Sequence, residues 1–475
     1  METVTQTLHR LTALDRGRPE GVEDPRLVRG FEAMDWARLP WFFKRYPRRL
    51  PRVALPRELP STGVPALAAL AGTAEVPSPG LDLPQLSRLL HLSAGVVRTS
   101  EFPPGKTWPF RAAGSAGGRF PLEVYVVVPR GTPVPPGVHW YDPAEHALVR
   151  VGPPPHGEAP AVVVTGVPWR TGWKYRERGY RHVYWDAGTM LAQLLAAADS
   201  AGLTASLFTR FPDAAVAALV GADCVHEWPV AVVALTEGRP AIEATGSPAV
   251  GAVDAEPLEF PLATEAQRAG ERDALGPQWD RGAPVDAPLE QTEPLDAVIY
   301  ARSSQRRMDP SRGVPESLLR TSMLVALRGV ALPHRVAVHH VDGLAPGLYR
   351  WPDLTAPVRA GGIRGDLYRV AWDQGLARDA AFVVIAATDV GALDAREYRE
   401  GQLGAGLVEG RLHLAAYALG ASATGMTFLD DDVRALLDEP LDALLFTCVG
   451  VPAYKPATGG PPGAPTAFRM VRSSA

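Results

Sequence analysis

The chain has 475 residues, 46% of them hydrophobic and 21% charged, with 46 glycines and 47 prolines, a composition that suits a globular protein of two to three domains and excludes a low-complexity tract. A net charge of −4 argues against a broad nucleic-acid or anionic-membrane surface. Only two cysteines occur, Cys224 and Cys448, which excludes a disulfide scaffold or a cysteine-rich metal site; both read as small core hydrophobes. From the start of the chain, Met1–Thr7 lacks the basic-then-apolar order of a secretory signal, and no apolar run reaches the ~18–20 residues that span a bilayer. A cytoplasmic protein without membrane contact is expected. Residues 1–55, rich in arginine and aromatics around Trp36–Tyr46, are expected to be an N-terminal extension that wraps helically over the first half. Residues 56–236 and 294–475 read as two modules. Between them, residues 237–293 turn to Pro, Ala, Gly and acidic side chains and read as a linker with one helix near Ala263–Leu275.

The two modules are related. Tyr180 to Gly202 aligns without gaps with Tyr398 to Gly420 at an offset of 218, with eight identities in 23 positions, among them Tyr180/Tyr398, Arg181/Arg399 and Gly188/Gly406. Pro136–Tyr141 echoes Pro346–Trp351, and Val-rich runs flank the helix in both copies. Each copy reads strand, turn, strand, strand, long helix, strand. The helices near Asp186–Ala201 and Gly404–Leu419 are apolar round most of their circumference and are therefore expected to be buried. Packing them against each other gives an α+β fold with a pseudo-twofold axis.

No phosphate loop of the G-x-x-x-x-G-K-[ST] type is present, nor a G-x-G-x-x-G after a strand, nor a G-x-S-x-G elbow. His339-His340 lacks H-E-x-x-H company and reads as strand or turn, so no metal site is expected. Three segments remain. Arg302-Ser303-Ser304-Gln305-Arg306, after the strand-like Ala297–Tyr300, offers two guanidinium forks and a hydroxyl to a phosphate; it could equally be a solvated basic turn. Arg111–Glu123 contains Gly114-Ser115-Ala116-Gly117, small residues that let backbone approach a flat ring, or simply a glycine-rich turn before a strand. Trp173–Arg181 precedes the first buried helix and holds Lys174, one of four lysines against 44 arginines. Beside Tyr175 and flanked by Arg176, Arg178 and Arg181, Lys174 would have a lowered pKa and could act as a base, or it could pair with Glu177 in a charged loop.

Together, R-x-S-x-R, R-x-x-x-S-A-G-x-x-x-P-x-E-x-Y, P-G-[VL]-x-x-[YW], W-K-Y-x-x-R-G-Y-R and the D-A-G helix resemble the nitroreductase-fold flavoproteins, and more narrowly the tandem SagB/ThcOx-type azoline dehydrogenases, over residues 30–235 and 295–455. The resemblance implies two fused nitroreductase-like modules, each an antiparallel-rich sheet flanked by helices, forming an intramolecular pseudo-dimer with FMN at the junction. It implies that Arg302, Ser304 and Arg306 hold the phosphate and ribityl end and that Ser115, Ala116 and Gly117 line the isoalloxazine. By looser matches, Gly425, Met426 and Thr427 form a ring-side turn and Lys455 a C-terminal phosphate contact. Lys174 and Tyr175 match the catalytic Lys-Tyr pair. The sequence also departs from the family pattern. Gly114 replaces a Pro, the first half has no R-x-S-x-R, the second has no Ser-Ala-Gly loop, and Ala392-Leu393 stands at the offset position of Lys174-Tyr175, so one flavin site per chain is expected.

The expected activity is oxidation of a peptide-borne thiazoline or oxazoline to the azole, with Lys174 and Tyr175 removing the Cα proton and hydride passing to flavin N5. The partners would be a peptide or small-molecule substrate and other peptide-modifying enzymes, with no nucleic acid; a monomeric pseudo-dimer is plausible. Two alternatives stand beside this: an NAD(P)H-dependent nitro or quinone reductase (or another peptide dehydrogenase) on the same fold, and a flavin-free docking partner in a peptide-modifying complex.

Overall fold

Runs of β-branched residues build two separate sheets in the computed structural model, which describes residues 2–16, 24–28, 30–102, 104–286 and 291–473. Parts of the N-terminal extension (17–23 and 29) and of the linker (287–290) lie outside the described residues. The first sheet takes its strands in the order Arg52–Ala54, Ala147–Gly152, Gly137–Asp142, Leu122–Val128, Ala161–Gly166, Trp228–Ala234, Ser206–Phe208. The second takes Arg359–Ala360, Gly347–Arg350, His334–Val338, Phe382–Thr388, Asp442–Gly450, Ser422–Met426. Every pairing in both is antiparallel. Without the edge strand Arg52–Ala54 the two orders are the same, so the chain is α+β and made of two like modules.

Two long helices, Gly179–Ser200 and Ala395–Ala418, cross at the centre. Their contact depends on the paired glycines of the repeat. A Cβ on Gly188 would lie 2.2 Å from the Leu403 carbonyl oxygen, and one on Gly406 would lie 2.3 Å from that of Trp185. Only a residue without a side chain lets the backbones approach so closely. The repeated tyrosines Tyr180 and Tyr398 stack across the axis with centroids 6.5 Å apart. At the same axis, Ala66 N–H donates to Glu293 O at 3.1 Å and Leu295 N–H to Val64 O at 2.9 Å.

The ion pairs follow the pseudo-symmetry and are exchanged between modules. Arg178 and Arg181 of the first module bind Asp430 of the second at 2.7 and 2.6 Å. Their counterparts at the same offset, Arg396 and Arg399, bind Asp213 of the first module, Arg399 at 3.1 Å. Asp213 and Asp430 both open short helices, Asp213–Val220 and Asp430–Leu437, where the helix dipole favours a carboxylate. These partners explain why both central helices begin about a turn or more earlier than their apolar stretches predict: the first turns carry arginines that are buried because an aspartate from the other module meets them.

Several local expectations are corrected. Ala297–Tyr300 lies within a helix, Leu295–Ala301, and not a strand: Leu295, Val298 and Ile299 are buried at helical spacing behind Pro294. Among its described residues, the N-terminal extension is helical over Val4–Leu11 and in a short 3-10 turn at Trp36–Arg38. That helix turns toward the second module, with His9 Nδ1 3.1 Å from Tyr398 Oη, while Trp36 and Phe42 pack on Trp108 of the first module. The linker helix is Pro261–Ala269, and Cys224 is half-buried where Cys448 is fully buried.

A smaller, three-stranded sheet breaks the symmetry. The hairpin Val96–Glu101/Thr107–Arg111 of the first module pairs with Thr466–Ala467 from the C-terminal arm, Thr466 opposite Arg98. In the second module, helix Glu316–Leu327 passes to strand His334–Val338 with no hairpin between. On that side the linker fills the space instead. Trp279 Nε1 donates to Gly329 O at 3.1 Å, Arg281 grips Asp199 at 2.7 Å, and Val285 N–H bonds Ala71 O at 3.0 Å.

Candidate functional site

The Ser-Ala-Gly loop is held by the first central helix. Asp186 projects from it and accepts the Ser115 hydroxyl at 2.5 Å and the Ala116 N–H at 2.9 Å, while Phe120 N–H donates to Ser115 Oγ at 2.7 Å. Burial pushes the Asp186 carboxyl up to about 7, with Glu409 adding to it and the two hydrogen bonds opposing. An acid whose folded pKa lies above its unfolded value of about 3.9 costs the native state stability as pH rises from about 4 through about 7. Asp186→Asn, which cannot ionise, should therefore gain in Tm relative to the parent between about pH 5 and about pH 8. A Tm difference that does not change with pH would contradict this assignment.

Lys174 and Tyr175 lie against the same loop. They end the helix Pro168–Tyr175, after which Arg176 adopts a φ of 49° and the chain turns into the central helix. A side chain at Gly117, itself at φ +61°, would have its Cβ 2.6 Å from Tyr175 Oη and 3.1 Å from Lys174 Nζ. Lys174 Nζ sits 5.3 Å over the Tyr175 ring, which stacks on His182 with centroids 4.0 Å apart. Burial first, and then Arg306 and Arg119, lower the Lys174 pKa; burial raises that of the Tyr175 phenol. This corrects the sequence expectation on two points. Arg178 and Arg181 are committed to Asp430, and Glu177 accepts Val28 N–H instead of pairing with Lys174. One of the two cations acting on Lys174, Arg306, comes from the other module.

Arg302–Arg306 arrives at this loop from the second module. Arg302 Nε and Nη2 both donate to Ala112 O, at 3.1 and 2.6 Å. Tyr417 Oη and His413 Nε2 hold Ser303 O, Gln305 N–H bonds Ala423 O, and Arg306 N–H donates to Tyr454 Oη at 3.3 Å. The Cβ position of Gly114 lies 3.4 Å from Arg302 Nη1 and 3.9 Å from Ser304 Oγ, so the two motifs meet across that glycine. Arg302 is only 4% exposed, and its Nη1 has no protein partner.

Between the motifs opens a cleft with about 1180 Å³ of empty space counted to its mouth. Ser115, Ser304, Arg306 and Lys455 line it, and no carboxylate is among its described lining residues. Of the other expected site residues, Ala116, Gly117, Lys174, Tyr175, Gly425, Met426 and Thr427 are not among its lining residues. Gly425 is exposed, its Cβ position 3.2 Å from Glu409 Oε1, and Met426 joins the second module's core. Glu409, which also accepts Thr189 Oγ1 at 2.8 Å, had no sequence signal, and Asp186 was visible only as the first letter of D-A-G. A cation-rich wall with an orphaned guanidinium N–H, beside glycines that admit a flat ring, suits an anionic planar ligand such as FMN.

Residues 77–239 match the profile of the Nitroreductase family. A nitroreductase-like protein of Methanocaldococcus jannaschii is 32% identical over 138 residues, 26% of this chain and 66% of that protein's length. The crystal structure of a nitroreductase-like protein from Anabaena variabilis shares the fold over 95% of this chain and 100% of its own, with a TM-score of 0.72 and 23% identity. The chain therefore carries a nitroreductase family domain at residues 77–239, within a fold of two fused nitroreductase-like modules that form an intramolecular pseudo-dimer.

Proposed function

We propose that this chain is an FMN-dependent oxidoreductase that dehydrogenates a thiazoline or oxazoline carried on a peptide. The observation that carries the reading is the meeting of Lys174 and Tyr175 with Gly117 on one side of the loop and of Arg302 and Ser304 with Gly114 on the other. Arg302, Ser304, Arg306 and Lys455 would hold the phosphate and ribityl end, and Ser115, Ala116 and Gly117 would lie along the ring. Gly425, Met426 and Thr427 would form a turn beside the ring. Bound FMN supplies the two-electron acceptor for the hydride that leaves the ring carbon next to Cα. Lys174, its ammonium form disfavoured by burial and by Arg306, takes the Cα proton, and Tyr175 remains a phenol that can donate a hydrogen bond to the substrate. The two removed hydrogens, one as a proton and one as a hydride, leave the ring with its new C=C bond. Protein partners of the peptide-modifying kind are part of this proposal.

Lys174→Ala tests it. The variant should keep its flavin-to-chain ratio and lose azoline oxidation by at least ~100-fold, the range of a removed general base. An unchanged rate would remove Lys174 from the chemistry. The relatives' name, nitroreductase, favours a second reading, a reductase of nitro compounds; with NAD(P)H as the donor, rapid bleaching of the flavin by NAD(P)H and full activity of Lys174→Ala would support it. Retention of the Arg302, Ser304 and Arg306 set in one cleft with Ser115 speaks against a flavin-free docking role.

A further inference from the structure

The hairpin that, among the described residues, only the first module possesses places an arginine where its strands meet the other module. Arg98 is 4% exposed. Its Nε donates to Ala457 O at 2.7 Å and its Nη2 to Tyr300 O, and the side chain lines the cleft with Arg302, Ser304 and Lys455. Those two carbonyls are not arbitrary. Tyr300 lies two residues before Arg302, and Ala457 two residues after Lys455, so one guanidinium ties together two of the second-module segments that face the cleft with positive charge. The backbone makes the same connection, with Thr466–Ala467 in parallel register with Arg98–Thr99 and Gly459 N–H bonded to Tyr300 O at 2.7 Å.

The charge balance is unusual. Burial and the neighbouring Arg302 both lower the pKa of Arg98, with only Tyr417 opposing. Arg302 is likewise destabilised as a cation by burial, with Glu409 as its facing carboxylate. Glu409 is already shared with Thr189 and His413. Two buried guanidinium groups that repel each other, with no carboxylate among the described lining residues of the cleft, make a site whose electrostatic cost falls when a dianion enters. The corresponding place in the second module, between Gly72 and Arg328–Gly329, has no such hairpin and is packed with Trp279, Arg281 and Arg328 around Asp199.

We infer that Arg98 is a further binding residue for the phosphate end of the flavin, supplied by the first module, and that its hairpin is what makes this cleft, and not its pseudo-symmetric counterpart, the one that binds. The inference rests on the FMN reading above and adds a residue that the sequence motifs do not contain.

The test compares FMN with riboflavin, which has the same ring and lacks the phosphate, by titrating each into flavin-stripped full-length protein and following quenching of flavin fluorescence. Arg98→Met should weaken FMN binding by roughly tenfold or more, the scale of a lost charge-assisted contact, while riboflavin affinity changes by less than about threefold. Arg98→Lys should recover part of the FMN affinity. Equal weakening of both ligands in Arg98→Met, or no change in either, would overturn the inference and leave Arg98 a purely structural tie. Melting curves of the stripped variants, compared with the parent, identify a folding defect; were Arg98→Met unable to fold, the FMN-to-riboflavin preference of Arg98→Lys decides, and a preference equal to the parent's overturns the proposal. If the parent binds neither ligand, the FMN reading itself fails, a result distinct from both outcomes for Arg98.

Discussion

Gly406→Ala is expected to destabilise the protein by more than ~2–3 kcal/mol, while the same substitution five residues earlier, Gly401→Ala, is expected to stabilise it by about 0.5–1 kcal/mol. Both glycines lie in the interior of the helix Ala395–Ala418 and both are buried. Helix propensity alone gives them the same gain from alanine. They differ in what a methyl group would meet. At Gly401 the nearest atom is the Leu444 Cδ1, 3.6 Å away, an ordinary contact; at Gly406 it is the Trp185 carbonyl oxygen at 2.3 Å, backed by Trp185 Cα at 2.8 Å. Backbone of a packed helix cannot swing aside as a side-chain tip can, so the two central helices must separate along much of their length. Chemical denaturation of the two variants checks the sign of each effect. A Gly406→Ala protein as stable as its parent would show that the helices do not cross this closely.

The second large effect concerns the flavin. Arg302→Met keeps the length and apolar stem of the side chain but removes both bonds to Ala112 O and the buried Nη1 that has no protein partner. The variant should purify colourless, with FMN affinity reduced by at least ~100-fold, because charge-assisted hydrogen bonds in a buried setting are worth about 1.5–3 kcal/mol each. An absorbance spectrum giving the parental flavin-to-chain ratio would remove Arg302 from the cofactor site. The variant also loses a cross-module tie, so its melting temperature should be compared with that of flavin-free parent protein.

Much of the architecture was legible because duplication leaves a mark that needs no alignment. The offset of 218 paired Gly188 with Gly406 and Tyr180 with Tyr398, and those residues meet at the axis. The Val-rich runs are strands, since a β-branched run between glycines and prolines has few other uses. The failures have one physical origin, which is that sequence shows neighbours along the chain and not across it. Ala297–Tyr300 looked like a strand because four residues are too few to separate a period of 2 from one of 3.6. Arg178 and Arg181 looked available to Lys174, yet they point at Asp430, some 250 residues away. Lys174 does have cationic neighbours, but they are Arg306 and Arg119, neither of which is near it in the chain. Within the candidate site, the short motifs located Ser115, Lys174 and Arg302. Asp186, Glu409 and Arg98 hold those motifs in place; Asp186 appears in the sequence only as the start of D-A-G, Glu409 as part of an apolar helix, and Arg98 lies in a stretch with no motif.

The exchange of aspartates between the halves bears on how such a fused protein can change over time. Asp213 neutralises two arginines of the opposite half, and Asp430 does the same in return. Loss of either carboxylate strands a pair of interior cations, so a tolerated replacement at 213 requires compensating ones at 396 and 399. Selection therefore keeps the contact surfaces of the twin copies in step, long after the fusion event, while positions lining only one flank of the molecule are released to drift. A tether that made self-association compulsory thus also allowed the two flanks to differ, one opening a cleft and the other filled by the linker.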